Sequence, residues 1–293
     1  MITVGVFDSG VGGFSVLRAL RVELPQVHFV YLADNAHAPY GERSAAVVIA
    51  RAQHITEQLR TEHRIGALVV ACNTATALAI DTLRATHPDL PFIGVEPALK
   101  PAALLTRNGH IGVLATRATV HSARFAQLLA GVNAAAHHPL HVRVQACDGL
   151  ADAIERDDGQ AVLERAKHHW NQLCQQNPNR PPIDTLVLGC THYPFARDIL
   201  QWLGGLNVTL VDTGEPVARR TRAVLKLPVA TGQEKATPLT LLSTGEVSSL
   251  HHAAARWLGV AAAVCQPSSQ GMRSTGDNTP SACSGSTSDN ARA

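Results

Sequence analysis

The sequence predicts an α/β protein of two pseudo-symmetric α/β domains with mainly parallel sheets, facing one another across a cleft. Two observations predict it. Short apolar runs alternate with stretches of helical periodicity from residue 3 to about residue 225, the pattern of successive βα units. The pattern also restarts near His110, and one run in each half ends alike. Leu68-Val69-Val70-Ala71-Cys72-Asn73-Thr74 and Leu186-Val187-Leu188-Gly189-Cys190-Thr191-His192 both lead an apolar run through a small residue to a cysteine and then to hydrogen-bonding side chains.

Thr3 to Phe7 predicts a strand, and Asp8-Ser9-Gly10-Val11-Gly12-Gly13 the loop after it. Phe14 to Leu24 predicts a helix, with Val16, Leu17, Leu20 and Leu24 on one stripe and Pro25 following. Val27 to Leu32 is a second strand. A polar loop through Pro39 leads to a helix from about Ser44 to Glu62. Ile65 to Ala71 is a third strand, followed by a helix to about Thr86, and Pro91 to Val95 is a fourth.

In the second half His110 to Leu114 predicts a strand, Ala115 to Thr119 its loop, and Val120 to Leu129 a helix. Val142 to Val144 is a strand, and helical sequence follows at about Leu150–Glu155 and Gln160–Gln175. Asp184 to Gly189 is a strand, then a helix to about Leu203, then a strand from Val208 to Val211. Beyond it we expect a helix from Glu215 to Leu225, a strand from Leu239 to Ser243 and a helix from Leu250 to Leu258. The expected division is a first domain of residues 1–97 plus about 212–264 and a second of 98–211. Residues 266–293, rich in Ser, Gly, Thr, Asn and Asp, are expected to be a disordered low-complexity tail. Right-handed crossovers place the post-strand loops along one edge, where such folds bind ligands. Asp8 and Thr116 would then sit at equivalent first-strand ends, as would Cys72 and Cys190 at third-strand ends.

Composition limits the function classes. Hydrophobic residues make up 45 % and charged ones 16 %, enough apolar material for large cores. A net charge of +2 implies no strong attraction to nucleic acid or an anionic membrane. No apolar run approaches the roughly 20 residues of a membrane span, and the start of the chain lacks a signal pattern. A cytoplasmic protein is expected. In that setting the cysteines are expected to be free thiols. Cys147, Cys174 and Cys265 lack the strand-end setting and read as ordinary small residues, and Cys283 as part of the tail.

A strand-end thiol becomes reactive when a base or a helix N-terminus favours its thiolate. His192 lies two residues from Cys190, and Asp8 ends the strand beside that of Cys72. Two thiols on opposite walls of a cleft suit a two-base proton transfer, one removing a proton from a substrate carbon and the other returning one to the opposite face. A one-thiol hydrolase or decarboxylase and a non-catalytic two-lobed binding protein are the competing classes. Gly10-Val11-Gly12-Gly13 lacks the third spaced glycine of a dinucleotide fingerprint, because Ser15 stands there. Two readings of it stay open: amides that receive a small carboxylate with the Ser9 hydroxyl, and a turn that needs φ > 0. Cys190-x-His192 could seed a zinc site, but none of His137, His138, His141, His168, His169, His251 and His252 forms a recognised ligand spacing with a cysteine pair, so no metal is expected.

Four stretches together resemble the glutamate racemases of the cofactor-independent aspartate/glutamate racemase superfamily. They are Val6 to Gly13, Asp34 to Gly41, Ala71-Cys72-Asn73-Thr74-Ala75 and Leu188-Gly189-Cys190-Thr191-His192-Tyr193-Pro194. Gly94 to Ala102 and Val113 to Thr119 resemble the proteobacterial type. His192 after Thr191 resembles the glutamate branch, since the aspartate branch usually carries a carboxylate there. The resemblance implies that Cys72 exchanges the α-proton of D-glutamate and Cys190 that of L-glutamate, assisted by Asp8 and His192. It implies substrate contacts at Asp8, Ser9, Tyr40, Gly41, Asn73, Thr74, Thr191 and His192, and an auxiliary acid at Glu155 or, in its place, Asp152. A carbanion-like transition state also needs neutral donors in a dry cleft, a task suited to Asn73, Thr74, Thr116, Thr119 and Thr191. No pyridoxal phosphate or other cofactor is expected. D-glutamate would feed peptidoglycan synthesis and so cell-wall biogenesis and cell shape. A cell-wall precursor as activator and a homodimer are possible partners; nucleic acid and membrane are not expected. Racemisation of aspartate or another small acid is the related alternative. The sequence departs from the resemblance at Ala33, where glycine is frequent, and at Cys147-Asp148, where a Cys-Pro pair is frequent.

Overall fold

A computed structural model describes residues 2–176, 181–230, 237–260 and 262–267. All but the first two residues of the expected tail, Cys283 included, lie outside the described residues.

The first half runs β1 (Thr3–Asp8), α1 (Phe14–Glu23), β2 (His28–Ala33), α2 (Ala45–His63), β3 (Ala67–Val70), α3 (Asn73–Thr86) and β4 (Phe92–Gly94). The second runs α4 (Leu99–Leu105), β5 (His110–Ala115), α5 (Arg117–Val120), α6 (Ala123–Ala135), β6 (His141–Ala146), α7 (Leu150–Glu155), α8 (Gly159–Gln175), β7 (Thr185–Gly189), α9 (Arg197–Gly204) and β8 (Thr209–Val211). Then come α10 (Gly214–Val224), β9 (Leu239–Ser243), α11 (Val247–Leu258) and β10 (Val264–Cys265).

Two sheets result, ordered β10-β9-β2-β1-β3-β4 and β6-β5-β7-β8, with every pairing parallel. The order β2-β1-β3-β4 repeats as β6-β5-β7-β8, so the repeat seen in the sequence is also one of topology. The central strands are buried on both faces, which is why they read as continuous apolar runs. Apolar clusters lie on both sides of each sheet. One holds α1 and α11 residues such as Leu17, Leu20 and Leu250, and another α2 and α3 residues such as Ile55, Leu59 and Leu83. On the second sheet, Leu173 and Leu200 mark one side and Leu99 and Phe125 the other. We call each sheet with its helices a lobe.

The register corrects one sequence expectation. Phe7 pairs with Val70, two residues before Cys72, and Leu114 pairs with Leu188, two before Cys190. Aligning the cysteines therefore places Asp8 opposite Ala115, not Thr116. Thr116 stands one residue further on as the cap of α5, accepting a hydrogen bond from the Thr119 amide at 3.3 Å. The expected helix at Val120–Leu129 begins instead at Ala123, because Ser122 Oγ accepts from the Phe125 amide at 3.1 Å and caps α6. α4, β10 and the 3₁₀ turn Tyr193–Ala196 were not anticipated.

Candidate active site

The strand-end edges of the two sheets meet, and the site is made of side chains that cross between them. Cys72 follows β3 and caps α3: its Sγ accepts from the Ala75 amide at 3.5 Å and lies 3.9 Å from Ser9 Oγ. The thiol is 5 % exposed. Burial pushes its pKa well up, and the nearby Asp8 and Cys190 push it further, against the Ala75 and Ser9 hydrogen bonds.

Cys190 follows β7 and is as deeply buried, at 6 % exposed. Its Sγ is 3.8 Å from His192 Nδ1, and His192 Nε2 is 2.7 Å from Glu155 Oε2. Burial lowers the basicity of His192, but the hydrogen bonds to Cys190 and Glu155 outweigh it and raise the imidazole well above its ordinary value. Asp152 pairs with Arg156, 2.5 Å away, and Glu155 is the acid beside His192.

Asp8 belongs to the first lobe but is shared. Its Oδ1 accepts from Ser9 Oγ at 3.1 Å and the Gly10 amide at 2.9 Å, and its Oδ2 from Thr191 Oγ1 at 2.7 Å. No direct hydrogen bond joins it to Cys72; Ser9 stands between them. Burial raises Asp8 from 3.8 to about 6, with the His192 charge and the Thr191 and Gly10 hydrogen bonds opposing.

The glycine loop takes a third form that neither sequence reading foresaw. None of Gly10, Gly12 and Gly13 has positive φ, so the turn requirement does not explain them. A carboxylate does meet the loop amides, but it is Glu155 of the same chain, whose Oε2 accepts from the Val11 amide at 2.8 Å. A Cβ on Gly10 would stand 2.1 Å from that carboxylate, and one on Gly12 2.2 Å from the His192 ring. These positions are glycine because the second lobe's acid–base pair lies directly against them.

Thr74 and Thr116 hydroxyls meet across the cleft at 2.9 Å, and Thr116 Oγ1 donates on to Thr119 Oγ1 at 2.9 Å. A Cβ on Gly41 would stand 2.9 Å from the Thr116 side chain, so the Tyr40-Gly41 turn also abuts the second lobe. The Tyr40 hydroxyl itself points inward and donates to Asp34 Oδ2 at 2.5 Å. Asn73 donates to the Val95 carbonyl at 3.3 Å, while its buried Oδ1 has no hydrogen-bond partner among the described residues.

Sequence reasoning missed several supporting groups. Asn35 Nδ2 donates to Glu155 Oε1 at 3.2 Å, and Ser15 Oγ to the Thr191 carbonyl at 2.8 Å. Asn35 follows a strand end, and that position was the available signal; Ser15 carried none. Buried Asp34 accepts a two-pronged contact from Arg51, at 2.8 and 2.9 Å, which seats the Tyr40 turn. Among the described residues no cluster of three His, Cys, Asp or Glu could hold a metal, and no helix is long and apolar enough to cross a membrane.

The chain is similar to known proteins in sequence and in fold. The profile of the Asp/Glu/Hydantoin racemase family matches residues 15–221. A glutamate racemase of Pseudomonas aeruginosa is 46 % identical over 242 residues, covering 80 % of this chain and 86 % of its own length. One of Ralstonia pickettii is 46 % identical over 263 residues, covering 88 % of each. Among solved structures, a glutamate racemase of Bacillus anthracis superposes with a TM-score of 0.78 at 32 % identity, covering 90 % of this chain and 97 % of its own. The Escherichia coli glutamate racemase, in complex with L-glutamate and the activator UDP-MurNAc-Ala, superposes with a TM-score of 0.74 at 33 % identity, covering 87 % and 95 %.

Proposed function

The chain belongs to the Asp/Glu/Hydantoin racemase family, and on that premise we propose that it interconverts L- and D-glutamate by two-thiol proton transfer at the α-carbon. It is an isomerase of a family that works without pyridoxal phosphate. The observation that carries the reading is the pair of buried strand-end thiols, Cys190 beside His192 and Cys72 linked to Asp8 through the Ser9 hydroxyl. Cys190, as thiolate, takes the α-proton of L-glutamate; Cys72, as thiol, delivers a proton to the opposite face, and D-glutamate leaves. The reverse reaction exchanges the roles. Each turnover leaves the thiols in swapped protonation states. His192 with Glu155 resets Cys190, and Asp8 through Ser9 resets Cys72.

The α-proton is weakly acidic, so negative charge that builds on the substrate carboxylate must be met by fixed donors in a dry site. Thr119 ends a hydroxyl chain from Thr74 through Thr116 and so has its proton to give, whereas Thr74, Thr116 and Thr191 would serve as such donors by turning from Thr116, Thr119 and Asp8 to the substrate. The unpaired Asn73 Oδ1 suits the ammonium group of an amino acid. Residues 1–97 with about 212–264 form one lobe in this reading and 98–211 the other, closing on the substrate and excluding water.

The product would enter peptidoglycan synthesis in the cytoplasm, and through it cell shape. An anionic cell-wall precursor as activator is part of the same reading. In its support, a cavity of about 410 Å³ between the lobes is lined by Arg84, Lys100 and Arg220, and by Arg124 paired with Glu96. Homodimer formation belongs to it too, supported by the exposed apolar side chains Leu104, Leu105, Trp202 and Leu206.

The test is incubation of L- and D-glutamate, separately, in deuterium oxide with wild type, Cys72→Ser and Cys190→Ser. Inversion in both directions with α-deuterium in the product, and severe loss in either variant, is expected. Full activity in one variant sinks the two-thiol mechanism, and inversion of aspartate but not glutamate sinks the substrate assignment.

A further inference from the structure

Helix α11 touches the second lobe through Trp257 and Arg256, and both contacts adjoin the acid–base pair. Trp257 stacks on Phe195, ring centroids 4.3 Å apart and planes 24° from parallel. Phe195 lies in the turn that begins immediately after His192. Arg256, whose guanidinium sits 4.5 Å over the Trp257 ring, also forms an ion pair with Asp157. Asp157 stands two residues beyond Glu155, in the left-handed conformation at φ 56° that turns the chain from α7 to α8. One helix of the first lobe therefore grips the segment carrying His192 and the segment carrying Glu155.

The grip has a firm base. Leu250 and Ala254 anchor α11 in the first lobe's core, and Phe195 packs against the cores of both lobes. The two ties differ in weight. The Arg256 and Asp157 side chains are 52 % and 63 % exposed, and an ion pair so exposed contributes little alone. The aromatic stack is half-buried and directional, so Trp257 is the main tie and Arg256 aligns it.

We infer that Trp257 and Arg256 are positioning residues for proton transfer at Cys190: docked on Phe195 and Asp157, they hold His192 and Glu155 in line with the thiol. Neither touches substrate or the reacting atoms. This rests on the proposed racemisation, and specifically on Cys190 serving the L-enantiomer. A merely structural helix would slow both half-reactions alike. A positioning helix slows the transfer at Cys190 and leaves that at Cys72 intact.

The experiment compares wild type with Trp257→Ala, Trp257→Phe and Arg256→Ala in both directions, using L- and D-glutamate carrying deuterium at the α-carbon. For Trp257→Ala we expect kcat/KM to fall about tenfold. The primary isotope effect should grow for L-glutamate, whose deuteron Cys190 removes, and shrink for D-glutamate. Trp257→Phe, which keeps a stacking ring, should restore most of both. Arg256→Ala should act in the same direction more weakly, and non-additively with Asp157→Ala. Isotope effects unchanged in both directions, or changed equally, overturn the inference even if activity or thermal stability falls. Inability of the wild type to racemise glutamate would instead defeat the proposed function, so the two failures are distinct.

Discussion

His192 Nε2 and Glu155 Oε2 lie 2.7 Å apart, and the same carboxylate oxygen accepts from the Val11 amide of the opposite lobe. One carboxylate oxygen thus both helps to raise the imidazole's pKa and ties the two lobes together. Glu155→Gln retains the shape and removes the charge. We expect kcat/KM to fall about 10²-fold, the usual scale for a general acid–base partner. His192 is held above its ordinary pKa partly by Glu155, so the limb of the pH–rate profile that follows His192 should move to lower pH. A limb that stays in place would show that Glu155 does not control that proton.

The glycine loop gives a test of close approach. Gly12→Ala places a methyl group about where the His192 ring lies, and Gly10→Ala one where the Glu155 carboxylate lies. Both obstacles are side chains and can swing aside, so the fold should survive. Thermal melting should change by only a few degrees, while activity falls by an order of magnitude or more. Gly131→Ala, with open space around its Cβ, is the control. Equal activity in Gly12→Ala and Gly131→Ala would contradict the account.

Asp8 couples stability to pH in an unusual direction. Its pKa is raised in the folded state, from 3.8 to about 6. The folded protein therefore binds this proton more tightly than the unfolded chain does. The contribution is fully present below about pH 3.8 and lost as pH rises through about 6. At neutral pH the ionised buried carboxylate is a liability of about 3 kcal/mol, taking roughly 1.4 kcal/mol per pKa unit. Asp8→Asn should accordingly raise the melting temperature above pH 6 and hardly change it near pH 4, while depressing racemisation at every pH. Urea titrations at pH 4 and pH 8 measure the first effect. Destabilisation at pH 8 would show that the lost hydrogen bonds outweigh the relieved charge.

Asp34 is the opposite case. Burial raises its pKa, but Arg51, Tyr40 and Thr244 outweigh burial and hold it below the usual carboxylate range. Removing Arg51 leaves a buried carboxylate short of its main partner. Arg51→Ala should cost on the order of 3 kcal/mol of stability. The stability contributed by Asp34 is present above its ordinary pKa and lost as pH falls, so the gap between wild type and variant should narrow in acid. Because the pair seats the Tyr40-Gly41 turn against Thr116, KM should rise more than kcat falls. Unchanged KM would separate this network from the substrate.

Much of the architecture was legible because it rests on local pattern. Continuous apolar runs marked the buried parallel strands, and the cysteines at their ends marked the site. Features that depend on distant partners were not legible. α4 escaped because Leu99-Lys100-Pro101 places a proline in the first turn of a seven-residue helix, which reads as a connection. Asp34 and Arg51, on separate elements, carry no mutual signal until the fold joins them. The glycine loop showed its backbone freedom but not its purpose, since the side chains that require those glycines arrive from the other lobe. Glu155 was reached through resemblance alone. Its neighbour Asp152 also carries a carboxylate, and only the geometry of α7 separates the two.

The pairing of β2 with β9 has a consequence for biogenesis. Phe29 lies beside Leu239 in the finished sheet, so the two partners leave the ribosome at widely separated times. The β6-β5-β7-β8 sheet can assemble from a continuous segment while β2 still presents a bare edge. Unpaired edges invite pairing with other chains. The nascent protein is therefore most exposed to aggregation late in synthesis, after the Cys190 half is in place and before its last strands close the Cys72 half.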